Sequence, residues 1–315
     1  MATTSSLEIE TANIKFANNL LLMLQQEDSR LSGTCSTGTY TGSKTAAPVD
    51  YLAPTSFEVA DTRGMDLDSR YAQFQQRWVS PTPFHHWVDV DSFDLLLTGI
   101  QPQGKIIQNI LAAANRKKDD VIIQAFFAAA TIGGVGVTTT ETFNSGANFP
   151  VSVDVADTVG VGAETGLNVE KFLAAQEILG LYENMPETPM HIGMTPGGLR
   201  GLMSQTQFTS TDFRNQATFD ATGRPRTFLN TTFHYSNRWA YTPADTDERW
   251  LPMWMQEGMH LGMWSDIETV ISRVNTKAGY PWRAYSMMTL GATRLQAGQV
   301  VRIKVLDANG GPIVP

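Results

Sequence analysis

The sequence predicts an α+β fold built around one very long helix. Three observations carry that prediction. Apolar residues recur at helical spacing through Ile107, Ile110, Leu111, Ala114, Val121, Ile122, Ala125, Ala129 and Ile132. Elsewhere the alternation has a period of two: Val151, Val153 and Val155 share one strand face, and Val301, Ile303 and Val305 share another, opposite Arg302 and Lys304. The stretch from 36 to 90 is rich in Gly, Pro, Thr and Ser and holds only short extended pieces. No internal repeat is visible.

Composition narrows the function. A chain of 315 residues makes one large domain or two ordinary ones. Charged residues make up 17%, below the usual quarter. With so many Thr, Ser, Asn and Gln, that points to a surface partly covered by neighbours in an obligate oligomer. Net charge is −8, and no basic run exceeds Arg116-Lys117-Lys118. Strong non-specific nucleic-acid binding needs a basic patch to displace counterions, and the linear sequence shows none. The single cysteine, Cys35, cannot form an intrachain disulfide, which fits a reducing cytosol. It reads as an ordinary loop thiol in preference to a nucleophile. The N-terminus lacks the charged-then-apolar order of a secretion signal, and no window of about 18 apolar residues reads as a membrane span.

Residues 1–34 read as a partly helical arm. Ile14, Ala17, Leu20, Leu21 and Leu24 fall at helical spacing, over an Asn- and Gln-rich polar face that suits docking on protein better than on membrane. Residues 36–90 show extended pieces at 56–59 and 76–79, and a stretch of that length with little helix is expected to lie on something else. Asp91 and Asp94 mark a helical turn over 93–97, and Pro102 suits the first turn of the long helix. That helix is expected to run about 40 Å. The charges from Arg116 to Asp120 interrupt its stripe and are read as facing outward or pairing with another subunit.

Beyond it the elements alternate. Asn168 caps a helix over Val169–Leu181, PMHIGMT from Pro189 reads as a buried strand, and Thr195-Pro196 opens another helix. TFLNTTFHYS and ERWLPMWMQEGMHLGMW read as strands or hairpins, the latter's Met and Trp load as core or subunit contact. QVVRIKVLD is a strand, and Asn309-Gly310-Gly311-Pro312 a closing turn.

Motifs for catalysis are weak. A phosphate loop places glycines before a helix N-terminus, whose free N–H groups hold the anion. At Gly133-Gly134-Val135-Gly136 the helix comes first, so Gly133 and Gly134 read as a helix C-cap. GIQPQGKI at 99–106 has the glycine spacing and Lys105 of a nucleotide loop, but Ile106 stands where a Mg²⁺-binding Ser or Thr belongs. The histidines His85, His86, His191, His234 and His260 form no H-E-x-x-H. The Glu257/His260 pair lacks the further copies a two-metal carboxylate site needs. His85-His86 beside Trp87 reads as aromatic packing. There is no G-x-S-x-G elbow. The expectation is a protein that is not an enzyme, with no cofactor and no metal.

Five stretches in order resemble the major capsid proteins of tailed bacteriophages with the Hong Kong 97-type fold. They are WVDVDSFDLLLTG from Trp87; ANRKKDDVIIQAFFAAATIGGVG, like the family's spine helix; FTSTDFRNQATFDATGRPRTFLNTTFHYSNR from Phe208; the Met- and Trp-rich strand pair around Gly262; and SMMTLGATRLQAGQVVRIKV. Within the third, the family commonly has a glycine where this chain has Asn230. Together they cover most of residues 87–306.

The resemblance implies an N-terminal arm (1–37) and an extended β-hairpin loop (38–90) lying over the adjacent subunit. It implies a peripheral domain with the spine helix (91–165 and 250–308) and an axial domain (166–249). It implies homo-hexamers and homo-pentamers in an icosahedral or prolate shell around double-stranded DNA, held without sequence-specific binding. Net acidity suits a shell filled later by a packaging motor. A separate scaffold protein, a portal and decoration proteins are the implied partners, with no membrane. The implied place is the virion capsid, assembled in the host bacterial cytoplasm. Contacts between subunits are expected at Lys44, Arg63, Arg77, Trp78, Arg116, Asp119 and Asp120. Some family members cross-link a loop lysine to a neighbour's asparagine; Lys44 is the only lysine between 36 and 90, but non-covalent contacts are the expectation. An encapsulin-like compartment shell and an unrecognised enzyme are the alternatives.

Overall fold

The computed structural model describes residues 25–42, 48, 50–52, 74–90, 103–134, 137–143, 154–156, 165–181, 188–209, 218–219, 223–239, 241–242 and 245–307. The amphipathic stretch at 14–24, the helical turn at 93–97 and most of the alternating valines near 151 lie outside them. The chain divides into two compact units. One comprises Met1–Ser29, Pro81–Asp119 and Met263–Leu290; the other comprises Arg30–Ser80, Asp120–Gly262 and Gly291–Pro315.

The long helix α1 spans Gln103–Phe127, 25 residues or about 37 Å. It begins in the first unit and its last turns belong to the second. The apolar stripe was expected to carry it through Ile132 with a glycine cap. Instead α1 stops at Phe127, and Ala130–Gly134 form a strand, here β5. Tertiary pairing decides this. Strands β3 (Phe74–Trp78) and β6 (Val137–Glu141) flank β5 antiparallel, so Ile132 lies opposite both Arg77 and Thr139. Thr131 and Ile132 are β-branched and suit a pleated surface. A short apolar run such as AAATI fits either period. Gly133 has φ 124°, a value that favours glycine, and its carbonyl accepts a 2.8 Å bond from Trp78 Nε1. With β2 (Asp50–Leu52) this makes a sheet in the order β2-β3-β5-β6.

A second sheet runs in the order β1-β14-β15-β4. Its strands are β1 (Ser36–Thr39), β4 (Thr82–Val90), β14 (Met259–Arg273) and β15 (Trp282–Arg294). In the first unit, α1 residues up to Asp119 face β4, β14 and β15.

The largest sheet lies in the second unit, ordered β7-β16-β13-β8-β11-β10-β9 with β12 on β13. Its strands are β7 (Asp154–Val155), β8 (Met190–Met194), β9 (Thr218–Phe219), β10 (Pro225–Phe228), β11 (Thr231–Tyr235), β12 (Tyr241–Thr242), β13 (Asp245–Met255) and β16 (Val300–Leu306). The expected alternation in β16 holds: Val301, Ile303 and Val305 are buried, opposite the partly exposed Arg302 and Lys304. Each such aliphatic side chain contributes about 1.5–3 kcal/mol by leaving water.

Helix α2 is Val169–Leu181, with Asn168 Oδ1 accepting from Lys171 N at 2.6 Å, the cap its position predicts. Helix α3 is Pro196–Met203, capped by Thr195 Oγ1, which accepts from Gly198 N at 2.9 Å. It lies in the crossover joining the parallel pair β8 and β11. Hairpin β10–β11 turns through Leu229 (φ 46°) and Asn230 (φ 59°), the left-handed pair of a type I′ turn. Asn is the non-glycine residue that tolerates such a φ best, which suits Asn230 to this turn.

Candidate inter-subunit surfaces

In the first unit, strict alternation along β4 and β15 sorts side chains onto two faces. Phe84, His86 and Val88 share one face; His85, Trp87 and Asp89 share the other. Cross-strand register pairs Met287 with His85, Tyr285 with Trp87 and Arg283 with Asp89 on the second face. His85 stacks on Trp87 (5.5 Å between centroids, 12° between planes) and on Tyr285 (6.5 Å, 19°). This is the aromatic packing expected at His85, yet Trp87 remains 51% exposed and Met287 43%. This face therefore leaves apolar and aromatic side chains in water.

An ion cluster ends this stripe. Asp89 accepts from Arg283 Nε and Nη2 (2.6 and 2.8 Å) and from Lys277 Nζ (2.6 Å). The Arg283 fork first, then Lys277, holds the Asp89 carboxyl well below the usual range. The cluster joins one cross-strand pair of the β4–β15 ladder, and its solvent-exposed setting keeps its contribution to stability small.

The opposite face meets α1. Ala113 and Ala114 are too short to fill the space, which leaves a cleft of about 220 Å³ bounded also by Phe84, Ile110, Ile267 and Met288. Lys117 Nζ lies over the Phe84 ring, 4.8 Å from its centroid.

The charged patch that interrupts α1 is largely used within the chain. Arg116 donates to Gln25 Oε1 at 2.5 Å and to the Gln26 carbonyl at 3.3 Å. Asp119 is buried and accepts from Ser29 Oγ at 2.6 Å and from the Gln26 amide. Lys118 pairs with Asp266 at 2.7 Å. Asp120, in the second unit, pairs with Arg238. Two of these side chains, Arg116 and Asp119, therefore pin residues 25–29 along the helix. Two asparagines add to this from outside the charged run: Asn115 donates to the Glu27 carbonyl at 2.9 Å, and Asn109 Oδ1 accepts from Gln25 Nε2 at 3.0 Å.

Arg77 lies in the interior of the second unit, 1% exposed. Its Nη2 donates to Glu141 Oε2 at 2.8 Å and its Nη1 to the Arg294 carbonyl at 3.1 Å. Arg294 in turn donates to the carbonyls of Phe126 and Ala128, at the end of α1. Burial first, then the neighbouring Arg77, pushes the Arg294 guanidinium down to about 10. This cluster ties β3, β6 and β15 to the C-terminus of α1. Trp78 is partly exposed and bonded to Gly133. Lys44 and Arg63 lie outside the described residues. The exposed stripe on β4 and β15 is the surface that sequence reading missed, and its signal was the period-two alternation from Phe84 to Asp89.

The other polar candidates have local structural roles. Cys35 is buried. His191 and His234 face each other at 3.1 Å against Trp254. Glu257 is exposed while His260 is buried, so the two do not converge. Among the described residues no three His, Cys, Asp or Glu side chains form a group able to hold a metal, and no helix is long and apolar enough to cross a membrane.

Comparison with known proteins places this architecture. A family model described as "Phage capsid protein" matches residues 9–307. No curated protein matches the chain. Solved structures match along nearly the whole chain. The capsid of Cyanophage P-SCSP1u does so at TM-score 0.67 and 12% identity, over 95% of this chain and 94% of that one. The capsid of Cyanophage Pam1 does so at 0.67 and 11%, over 98% and 100%. The head of Helicobacter pylori bacteriophage KHP40 does so at 0.65 and 10%, over 93% and 95%. At these identities the likeness is one of fold.

Proposed function

The chain belongs to the phage capsid protein family, and on that premise we propose that it is the major capsid protein of a tailed phage. It builds the icosahedral or prolate shell that encloses a double-stranded DNA genome. The observation that carries this reading is the family match over residues 9–307, nearly the whole chain.

The finer assignments follow the Hong Kong 97-type plan. Residues 1–37 form the arm and 38–90 the extended loop over a neighbour. Residues 91–165 with 250–308 form the peripheral domain, and 166–249 the axial domain of a hexamer or pentamer. In this reading the exposed face of Trp87, His85, Tyr285 and Met287 is a subunit contact. It is heterologous, with one patch meeting a different patch on the next copy, as closed rings require. Loop residues Lys44 and Arg63, with the partly exposed Trp78, supply further contacts. Arg77, Asp119 and Asp120 support them from within the subunit. The role is structural and not enzymatic. Net charge of −8 suits a shell that does not trap DNA during filling. A separate scaffold, a portal and decoration proteins complete the assembly in the host cytoplasm.

Velocity sedimentation of the purified chain, expressed with and without a candidate scaffold, tests the reading. Species of many subunits in discrete ring or shell sizes support it. A monomer or dimer that stays the sole species under every assembly condition overturns it.

A further inference from the structure

His260 sits at the start of β14, 5% exposed, between two hydroxyls of the segment that opens with β1. Ser36 Oγ lies 2.9 Å from its Nδ1 and Tyr40 Oη lies 2.8 Å from its Nε2. Ser36 Oγ is also 2.9 Å from the Met259 carbonyl, which can only accept. The serine hydrogen is therefore spent on Met259, so Ser36 Oγ accepts from Nδ1–H. Nε2 is then the bare nitrogen and accepts from Tyr40. One neutral tautomer satisfies every group, and the chain's own hydroxyls select it.

Protonation breaks this arrangement. A cationic His260 presents N–H at both nitrogens, and Nε2–H then meets the hydrogen of Tyr40. The tyrosine must turn its hydrogen away, in a site already short of space: a Cβ added at Gly38 would lie 2.8 Å from Tyr40 Oη and 3.1 Å from His260 Cε1. Among the described residues no charged group faces His260 to compensate. From β1 and its extension the groups facing His260 are Ser36 and Tyr40, with the Cys35 thiol adjacent. From the turn before β14, Glu257 is exposed to solvent. Just beyond β15, Leu295 N–H bonds the Gly258 carbonyl, but the guanidinium of the adjacent Arg294, the last residue of β15, points to Phe126 and Ala128.

We propose that Ser36, His260 and Tyr40 form an acid-sensitive clasp that fastens β1 to β14 while His260 is neutral and loosens it on protonation. The clasp holds one root of the segment between β1 and β3, whose other root is fixed by the Arg77–Glu141 pair. Acid therefore loosens one root and leaves the other. The inference rests on this geometry alone and stands whether or not the segment lies on a neighbouring subunit.

Burial agrees in direction, pushing His260 from the usual 6.5 down to about 4. The folded value is the depressed one. The clasp is therefore fully formed above the open-state value and weakens as pH falls from 6.5 toward 4.

The test is hydrogen exchange of the full chain between pH 7.5 and 4.5, corrected for intrinsic rates. Protection of amides 36–40, relative to those of β16, is expected to fall about tenfold by pH 5.5 in the wild type, following the linkage of that pKa difference. His260→Gln, which cannot take a proton, is expected to show a flat ratio. A wild-type ratio that does not change with pH overturns the proposal, as does a His260→Gln ratio that falls like wild type. Should His260→Gln fail to fold, ¹⁵N chemical shifts of histidine-labelled wild type decide the matter. The clasp requires a His260 in the Nδ1–H form at pH 7 that titrates below the usual 6.5. An Nε2–H form overturns it.

Discussion

Replacing Glu141 with Gln should destabilise the second unit strongly. Glu141 is 4% exposed and is the carboxylate that Arg77 meets at 2.8 Å; Arg77 and Arg294 are 1% and 0% exposed. The cluster thus holds two guanidiniums against one carboxylate, out of contact with water. The excess charge is spread over backbone carbonyls and over the Phe143 ring, 5.0 Å from Arg294 Cζ. Gln keeps the shape and an acceptor oxygen but removes the only negative charge in the trio. Breaking a buried pair from one side typically costs about 3–5 kcal/mol, because the partner stays buried and uncompensated. At roughly 4 kcal/mol/M in guanidinium chloride, that moves the unfolding midpoint of the dissociated subunit down by about 1 M. Glu141→Gln with Arg77→Met should recover part of the loss, since one unpaired cation goes with its partner. A midpoint shift below about 0.2 M for Glu141→Gln would refute the reasoning. So would a double variant less stable than the single one.

Three further outcomes follow from local geometry. Gly291→Ala places a Cβ 2.2 Å from the Ser80 carbonyl, a backbone atom that cannot swing aside; the loss should exceed about 2 kcal/mol by thermal unfolding, where Gly180→Ala, in open space, costs nothing measurable. Asn168→Ala removes the cap of α2 and should cost about 1 kcal/mol in the same assay. Trp87→Ser with Met287→Ser should leave subunit stability within about 0.5 kcal/mol. The same pair should raise the concentration needed for assembly more than about tenfold by light scattering, because exposed aromatics matter only once a partner covers them.

Legibility from sequence followed the range of the forces involved. The caps at Asn168 and Thr195 and the alternation of β16 are set by neighbours a few residues away, and they were readable. The end of α1 was not. Ala128 to Ile132 fits a helix or a strand, and the choice is made by β3, more than fifty residues upstream in the chain, and by β6. The same distance hid Arg77 in the interior: nothing in QQRWV indicates that Glu141 waits across the sheet. Arg116 to Asp120 looked available because their partners, Gln25, Gln26, Ser29, Arg238 and Asp266, come from three remote parts of the chain. The exposed stripe at Trp87 was present as an alternation, but sequence alone did not say which face of the strand the helix would cover. The family resemblance was readable because it rests on the order of many weak motifs, none of which depends on knowing a contact.

The most direct test of the central claim is electron microscopy of the chain purified after co-expression with its candidate scaffold. The account predicts hexameric and pentameric rings closing into a polyhedral shell, with the Trp87 and Met287 face covered at a subunit boundary. Discrete small oligomers under all assembly conditions, with that face open to solvent, would contradict it.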